Sequence, residues 1–169
     1  GRTHSIIENT DCALGVDENK VILEKILKYI EEEKVAPYEE ETHKGLLRHA
    51  LIRKGFATGQ LMVCLVINGK KLPSEDKLVQ SLLEVEGMTS ISVSVNTDKT
   101  NVIMGKEIRP LYGKDQIEDE IDGITFKISP LSFYQVNPVQ TERIYSQALK
   151  YADLNGDETV WDLYCGIGT

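Results

Sequence analysis

Apolar positions recur at two spacings along this chain, and each spacing predicts its own kind of element. Leu23, Ile26, Leu27 and Ile30 fall at i, i+3, i+4 and i+7, which predicts an amphipathic helix over 17–34 with Asp17 placed to cap it. Glu31, Glu32 and Glu33 stand at its end, where the helix dipole disfavours acids. They read as a solvated face running into a loop at Pro37 and Glu39-Glu40-Glu41. Strand-like runs at 46–54 and 60–67 are joined around Gly55 to Gly59, a hairpin pattern. The second run, Leu61-Met62-Val63-Cys64-Leu65-Val66-Ile67, is apolar on both faces, which predicts a central strand covered on both sides. Cys64 is then a core residue rather than a nucleophile. Ser74 is placed to cap a second helix, with Glu75 and Asp76 in its first turn and Leu78, Leu82 and Leu83 inward. Residues 90–95 alternate, with Ile91, Val93 and Val95 inward and Ser92 and Ser94 outward, as in a half-buried strand. Short strands are expected at 101–104, 107–111, 116–121 and 124–128, separated by Gly105, Gly113 and Asp122-Gly123. This order predicts an α+β domain on a largely antiparallel sheet.

The last third changes character. Asn137 as N-cap, Pro138 at the first helical position and Gln140 at the third make a capping-box start. Tyr145, Ala148, Leu149 and Ala152 give the expected buried stripe, and Asn155-Gly156 stops the helix. A strand is expected at 158–164, leading into a glycine turn. Helix, strand and glycine turn together read as the start of a doubly wound α/β unit, so a boundary is placed near 128–130. The domains expected are 1–128 and 129–169. In such a fold a helix should follow the glycine turn, and residues 1–7 resemble a strand entered midway. The chain is therefore expected to be a piece of a longer protein.

Composition narrows the classes. The chain has 169 residues, 41% apolar and 27% charged, an ordinary globular balance. Twenty-seven acids against 19 Lys and Arg give a net charge of −8, so the piece alone is expected to bind nucleic acid poorly. No apolar run approaches the roughly 18 residues of a membrane helix, and no apolar signal core opens the chain. Cys12, Cys64 and Cys165 are odd in number and far apart, which fits a reducing cytoplasm better than a disulfide framework. His4, His43 and His49 lack zinc-site spacing.

Two segments carry candidate chemistry. In Asp162-Leu163-Tyr164-Cys165-Gly166-Ile167-Gly168, glycines at the end of a strand let a ligand approach the backbone, although the same pattern serves as a tight turn. Tyr164 occupies the place of the first glycine of a dinucleotide fingerprint, so the segment is not one. The run Ser129-Pro130-Leu131-Ser132-Phe133-Tyr134-Gln135-Val136-Asn137-Pro138 is polar and aromatic just before a capped helix, the mark of a site or of a loop with core aromatics.

Together these two segments resemble the RNA uracil-5-methyltransferase family, whose members act on transfer RNA and on the large ribosomal RNA. Leu47-Arg48-His49-Ala50-Leu51-Ile52-Arg53, Thr58-Gly59-Gln60-Leu61-Met62-Val63 and Thr100-Asn101-Val102-Ile103-Met104-Gly105 extend the resemblance over nearly the whole chain. The resemblance implies a central α+β domain followed by the first helix and strand of a Rossmann-like S-adenosylmethionine domain. By position, Gln135, Tyr164 and Thr169 match cofactor-contacting residues, and Gly166 and Gly168 form the close-approach turn. Members often carry Asn where this chain has Thr169. Cys12 resembles the last of the cysteines that hold a [4Fe–4S] cluster in many members. In the family reaction a cysteine thiolate adds to C6 of an extruded uracil, which makes C5 nucleophilic toward the methyl group. The motif carrying that thiol is absent from this chain, and Cys165 is assigned to packing in the turn. The piece alone is thus expected to be catalytically silent and to bind S-adenosylmethionine weakly. The implied substrate is 23S rRNA ahead of tRNA.

Two other readings remain. Lys44, Arg48, Arg53 and Lys54, with His43 and His49, could form a basic patch of an RNA-docking module without chemistry. A Rossmann methyltransferase acting on another substrate class is the second. A homodimer could form by pairing of a severed 158–164 edge between copies.

Overall fold

The computed structural model describes residues 9–165. The strand expected at 1–7 and the candidate residues Gly166, Gly168 and Thr169 lie outside them. The described elements run α1 (Glu18–Glu32), β1 (Leu47–Lys54), β2 (Leu61–Ile67), α2 (Glu75–Leu83), β3 (Met88–Val95), β4 (Glu107–Gly113), β5 (Ile117–Ile121), β6 (Ile124–Ile128) and α3 (Pro138–Ala152). They fall into two compact units, the first running to Tyr134 and the second beginning at Gln135.

In the first unit β1-β2-β3-β4 form one sheet. β1 and β2 pair antiparallel, as do β3 and β4, while β2 and β3 run parallel. The parallel pair is bridged by α2, since a parallel connection needs a long crossover. β5 and β6 form a separate antiparallel hairpin across Asp122-Gly123. The architecture is α+β with a mostly antiparallel sheet, as the pattern predicts.

The side chains of β2 explain why it has no polar position. Leu61, Val63, Leu65 and Ile67 join a core with Ile22, Ile26 and Tyr29 of α1 and Leu78 and Leu82 of α2. On the opposite face Met62 packs with Ile117, Ile128 and Tyr134. Every residue of β2 is fully buried, so it is the covered central strand expected, with Cys64 in the core. β4 lies at the sheet edge, the position that tolerates Pro110.

Several expectations are corrected. Ser92 and Ser94 are buried rather than outward, because β3 lies inside the sheet and its serine face is covered. Ser94 Oγ there accepts the Gly105 N–H at 2.9 Å. Residues 101–104 form no strand. The carbonyls of Asn96, Asp98 and Thr100 accept the Arg48 guanidinium, and those of Val102 and Ile103 accept Asn96 Nδ2. Backbone acceptors engaged by side chains are not free for a ladder. A Cβ on Gly105 would lie 1.7 Å from the Val95 carbonyl oxygen, so this loop closes on the sheet only with glycine there.

The caps differ as well. Asp17 has helical dihedrals and makes no side-chain cap. Ser74 has left-handed dihedrals (φ 46°) and also makes none. Its Oγ donates to Glu33 at 2.6 Å, and Glu75 accepts the Leu72 N–H at 3.1 Å instead. Glu33 is therefore not simply a solvated acid, for Lys77 also donates to it.

In the second unit α3 starts as the sequence predicts, with Asn137 Oδ1 accepting the Gln140 N–H at 3.1 Å. The expected buried stripe is not buried. Ala148, Leu149 and Ala152 are exposed and Tyr145 is half-buried. Residues 158–165 form no strand. A strand exists only through a ladder, and no described residue pairs with this run. Where a Rossmann-like start was expected the described residues show a helix and no strand after it, and the dimer through a 158–164 edge loses the edge on which it rests.

Candidate functional site

The turn between β1 and β2 brackets β5. The Ala57 N–H donates to Asp119 Oδ1 at 2.8 Å, Thr58 Oγ1 donates to the Glu118 carbonyl at 2.5 Å, and the Glu118 N–H donates to Gln60 Oε1 at 2.9 Å. Gly55 leaves room for this approach, since a Cβ there would lie 2.4 Å from the Glu118 carbonyl oxygen. A two-stranded hairpin is marginal alone, and these bonds tie β5 and β6 to the larger sheet.

Asp119 carries the bracket onward. It is fully buried, on the same strand face as Ile117 and Ile121. Its Oδ2 accepts the Tyr134 hydroxyl at 3.1 Å. Burial and the neighbouring Asp119 charge push the Tyr134 hydroxyl well above its ordinary range, so it stays protonated and remains the donor. The Tyr134 ring tilts against Phe126 with centroids 6.1 Å apart. One turn upstream, Arg53 Nη2 donates to the Ser132 carbonyl at 2.7 Å, and Ser129 and Ser132 close a local turn. Segment 129–134, expected to open the second domain, is thus stitched to the first unit.

Gln135 follows directly, half-buried, and leads through Asn137 into α3. Tyr164 lies beyond α3, almost wholly exposed, with its N–H donating to Asp162 Oδ1 at 3.1 Å. A Gln amide offers a donor and an acceptor, and a Tyr hydroxyl offers both in one atom. Such groups suit the polar ends of a nucleoside–amino-acid ligand.

Arg53, Lys54, Arg48 and His43 of the basic stretch are engaged within the protein. Arg53 is held on Ser132, with burial lowering its pKa, and Lys54 pairs with Glu18 at 2.6 Å. Arg48 is spent on three carbonyls and stacks 4.4 Å above the Tyr38 ring. His43 Nδ1 hydrogen-bonds the Tyr38 hydroxyl at 2.9 Å. Burial pushes the Cys64 thiol up, which fits a packed thiol rather than a nucleophile. Cys12 and Cys165 are exposed, and no group of three or more His, Cys, Asp or Glu able to hold a metal lies among the described residues. No described helix is long and apolar enough to cross a membrane.

Sequence reasoning missed Asp119, Arg53 and Asn96 as anchors. A signal for Asp119 was present, because the alternation Ile117, Asp119, Ile121 puts it on the inward face.

Known proteins match this chain along its length. A Clostridium tetani protein named an uncharacterized RNA methyltransferase is 48% identical over 169 residues, which is 99% of this chain and 37% of that protein. A Listeria monocytogenes protein of the same description is 44% identical over 168 residues, again 99% and 37%. The crystal structure of Pyrococcus abyssi tRNA (uracil-54, C5)-methyltransferase with S-adenosyl-L-homocysteine superposes with a TM-score of 0.79 at 27% identity. That match covers 97% of this chain and 38% of the archaeal one. Over almost its whole length the chain is similar to one segment of RNA methyltransferases and, in fold, to part of a tRNA uracil-C5 methyltransferase. No protein-family model matches it. It spans 37% of the length of the curated relatives cited. Within that segment the family-like Thr58-Gly59-Gln60 run has a physical task, the docking of β5.

Proposed function

We propose that this chain is the central part of an enzyme that methylates C5 of a uridine in RNA, with S-adenosylmethionine as the co-substrate that supplies the methyl group. The observation that carries the reading is a likeness over almost the whole chain, in sequence to RNA methyltransferases and in fold to a tRNA uracil-C5 methyltransferase. In this reading Gln135 and Tyr164 bind the co-substrate, joined by Gly166, Gly168 and Thr169 at the glycine turn. The chemistry is covalent: a cysteine thiolate outside this chain adds to C6 of uracil, and elimination restores it once the C5 proton has left. Cys12 supplies one of the thiolates of a [4Fe–4S] cluster in the longer protein.

The test uses the intact protein and RNA tritiated at C5 of uridine. Release of tritium that depends on S-adenosylmethionine supports the reading, and methyl transfer without release overturns it. Large ribosomal RNA forms the first arm, as the sequence resemblance implies. Transfer RNA, the substrate in the archaeal neighbour's name, forms the second. Iron analysis of the intact protein and its Cys12→Ser variant tests the cluster; equal iron in both removes Cys12 from it.

A further inference from the structure

We propose that Asp119, through Tyr134, is a positioning residue for Gln135. The inference rests on the reading above, in which Gln135 binds the co-substrate. Asp119 is fully buried, and a buried carboxylate persists only where its oxygens are satisfied. Both are: Oδ1 accepts the Ala57 N–H and Oδ2 accepts the Tyr134 hydroxyl. One side chain therefore joins the β1–β2 turn, strand β5 and the residue peptide-bonded to Gln135. The Tyr134 ring adds apolar packing with Met62, Ile117 and Ile128. Arg53 holds the Ser132 carbonyl in the same segment. The chain thus leaves the first unit from a point fixed by hydrogen bonds and packing, and the next residue is Gln135. Fixing the backbone before a binding side chain lowers the ordering cost when the ligand arrives. Nothing requires Asp119 or Tyr134 to touch the ligand.

The experiment measures S-adenosyl-L-homocysteine affinity by titration calorimetry on the intact protein. KM for RNA and the unfolding midpoint are measured alongside. Tyr134→Phe keeps the ring and its packing and removes only the donor. It is expected to weaken S-adenosyl-L-homocysteine about three- to tenfold, the worth of one hydrogen bond. KM for RNA should be unchanged and the midpoint should stay within about 5 °C. Asp119→Asn keeps an acceptor for Ala57 and a polar partner for Tyr134, so it should retain most of the affinity; Asp119→Ala should not. Unchanged affinity in Tyr134→Phe, beside a loss in Gln135→Ala, overturns the positioning role and leaves the function intact. A loss that tracks the midpoint and KM for RNA together also overturns it, since it marks a purely structural bond. An intact protein that does not bind S-adenosyl-L-homocysteine overturns the functional reading and this inference with it.

Discussion

Glu75 shows how far one residue's surroundings can depart from its local sequence. Its carboxylate takes both Arg109 nitrogens, at 2.6 and 3.1 Å, and the Leu72 N–H. Burial works to raise its pKa, but the Arg109 and Leu72 bonds outweigh burial and hold it below the ordinary 4.5. A carboxyl depressed in the folded state contributes stability above its unfolded pKa and loses it as pH falls through the folded value. Glu75→Gln is expected to cost about 1 kcal/mol near neutrality, with Arg109 part-exposed. It should also flatten the acid limb of the stability curve below pH 4.5. Urea melts from pH 3 to 7 check it; parallel curves for the two proteins would refute the sign. The same environment dependence separates the cysteines, since Cys64 is buried while Cys12 and Cys165 are exposed.

Two helix starts that look alike in sequence differ at the level of elements. Asn137 caps α3 with its side chain, helped by Pro138, whereas Ser74 leaves the start of α2 to Glu75. Asn137→Ala is therefore expected to destabilise α3 by about 1 kcal/mol, and Ser74→Ala to leave α2 within about 0.5 kcal/mol. Amide exchange in the first turn of each helix reads both effects. The Asn137 cap of α3 was legible because its parts, Asn137, Pro138 and the Gln140 N–H, are local. The fate of Ser74 was not, because its left-handed backbone and its bond to Glu33 depend on where α1 ends. The loop over 96–105 escaped for the same reason. Its apolar residues suggest a strand, but Arg48, far away in sequence, takes its carbonyls.

The whole molecule divides its stability unevenly. The first unit has a two-sided core around β2, while α3 keeps Ile144, Leu149 and Tyr151 exposed. Helices draw most of their stability from packing an apolar face. Hydrogen exchange on the 169-residue chain should find the amides of β2 and β3 slowest and those of α3 much faster. Equal protection would mean that the apolar side of α3 is covered. The likeness to RNA methyltransferases was legible from the 129–169 motifs together, yet the same motifs misled about structure. Leu149 and Ala152 carry the spacing of a buried stripe, but spacing records what a face is built to meet, not whether a partner is present.

The sequence by itself determined the central strand, the α+β class, the capped third helix and the likeness to RNA methyltransferases. Each of these is written in local periodicity, turn chemistry or contiguous motif. Only the tertiary structure decided that the basic residues at 48, 53 and 54 hold the protein together and that Asp119 reaches the residue before Gln135. Both facts are hydrogen bonds between segments distant in the chain, and such pairings depend on register and layer order, which no local pattern encodes.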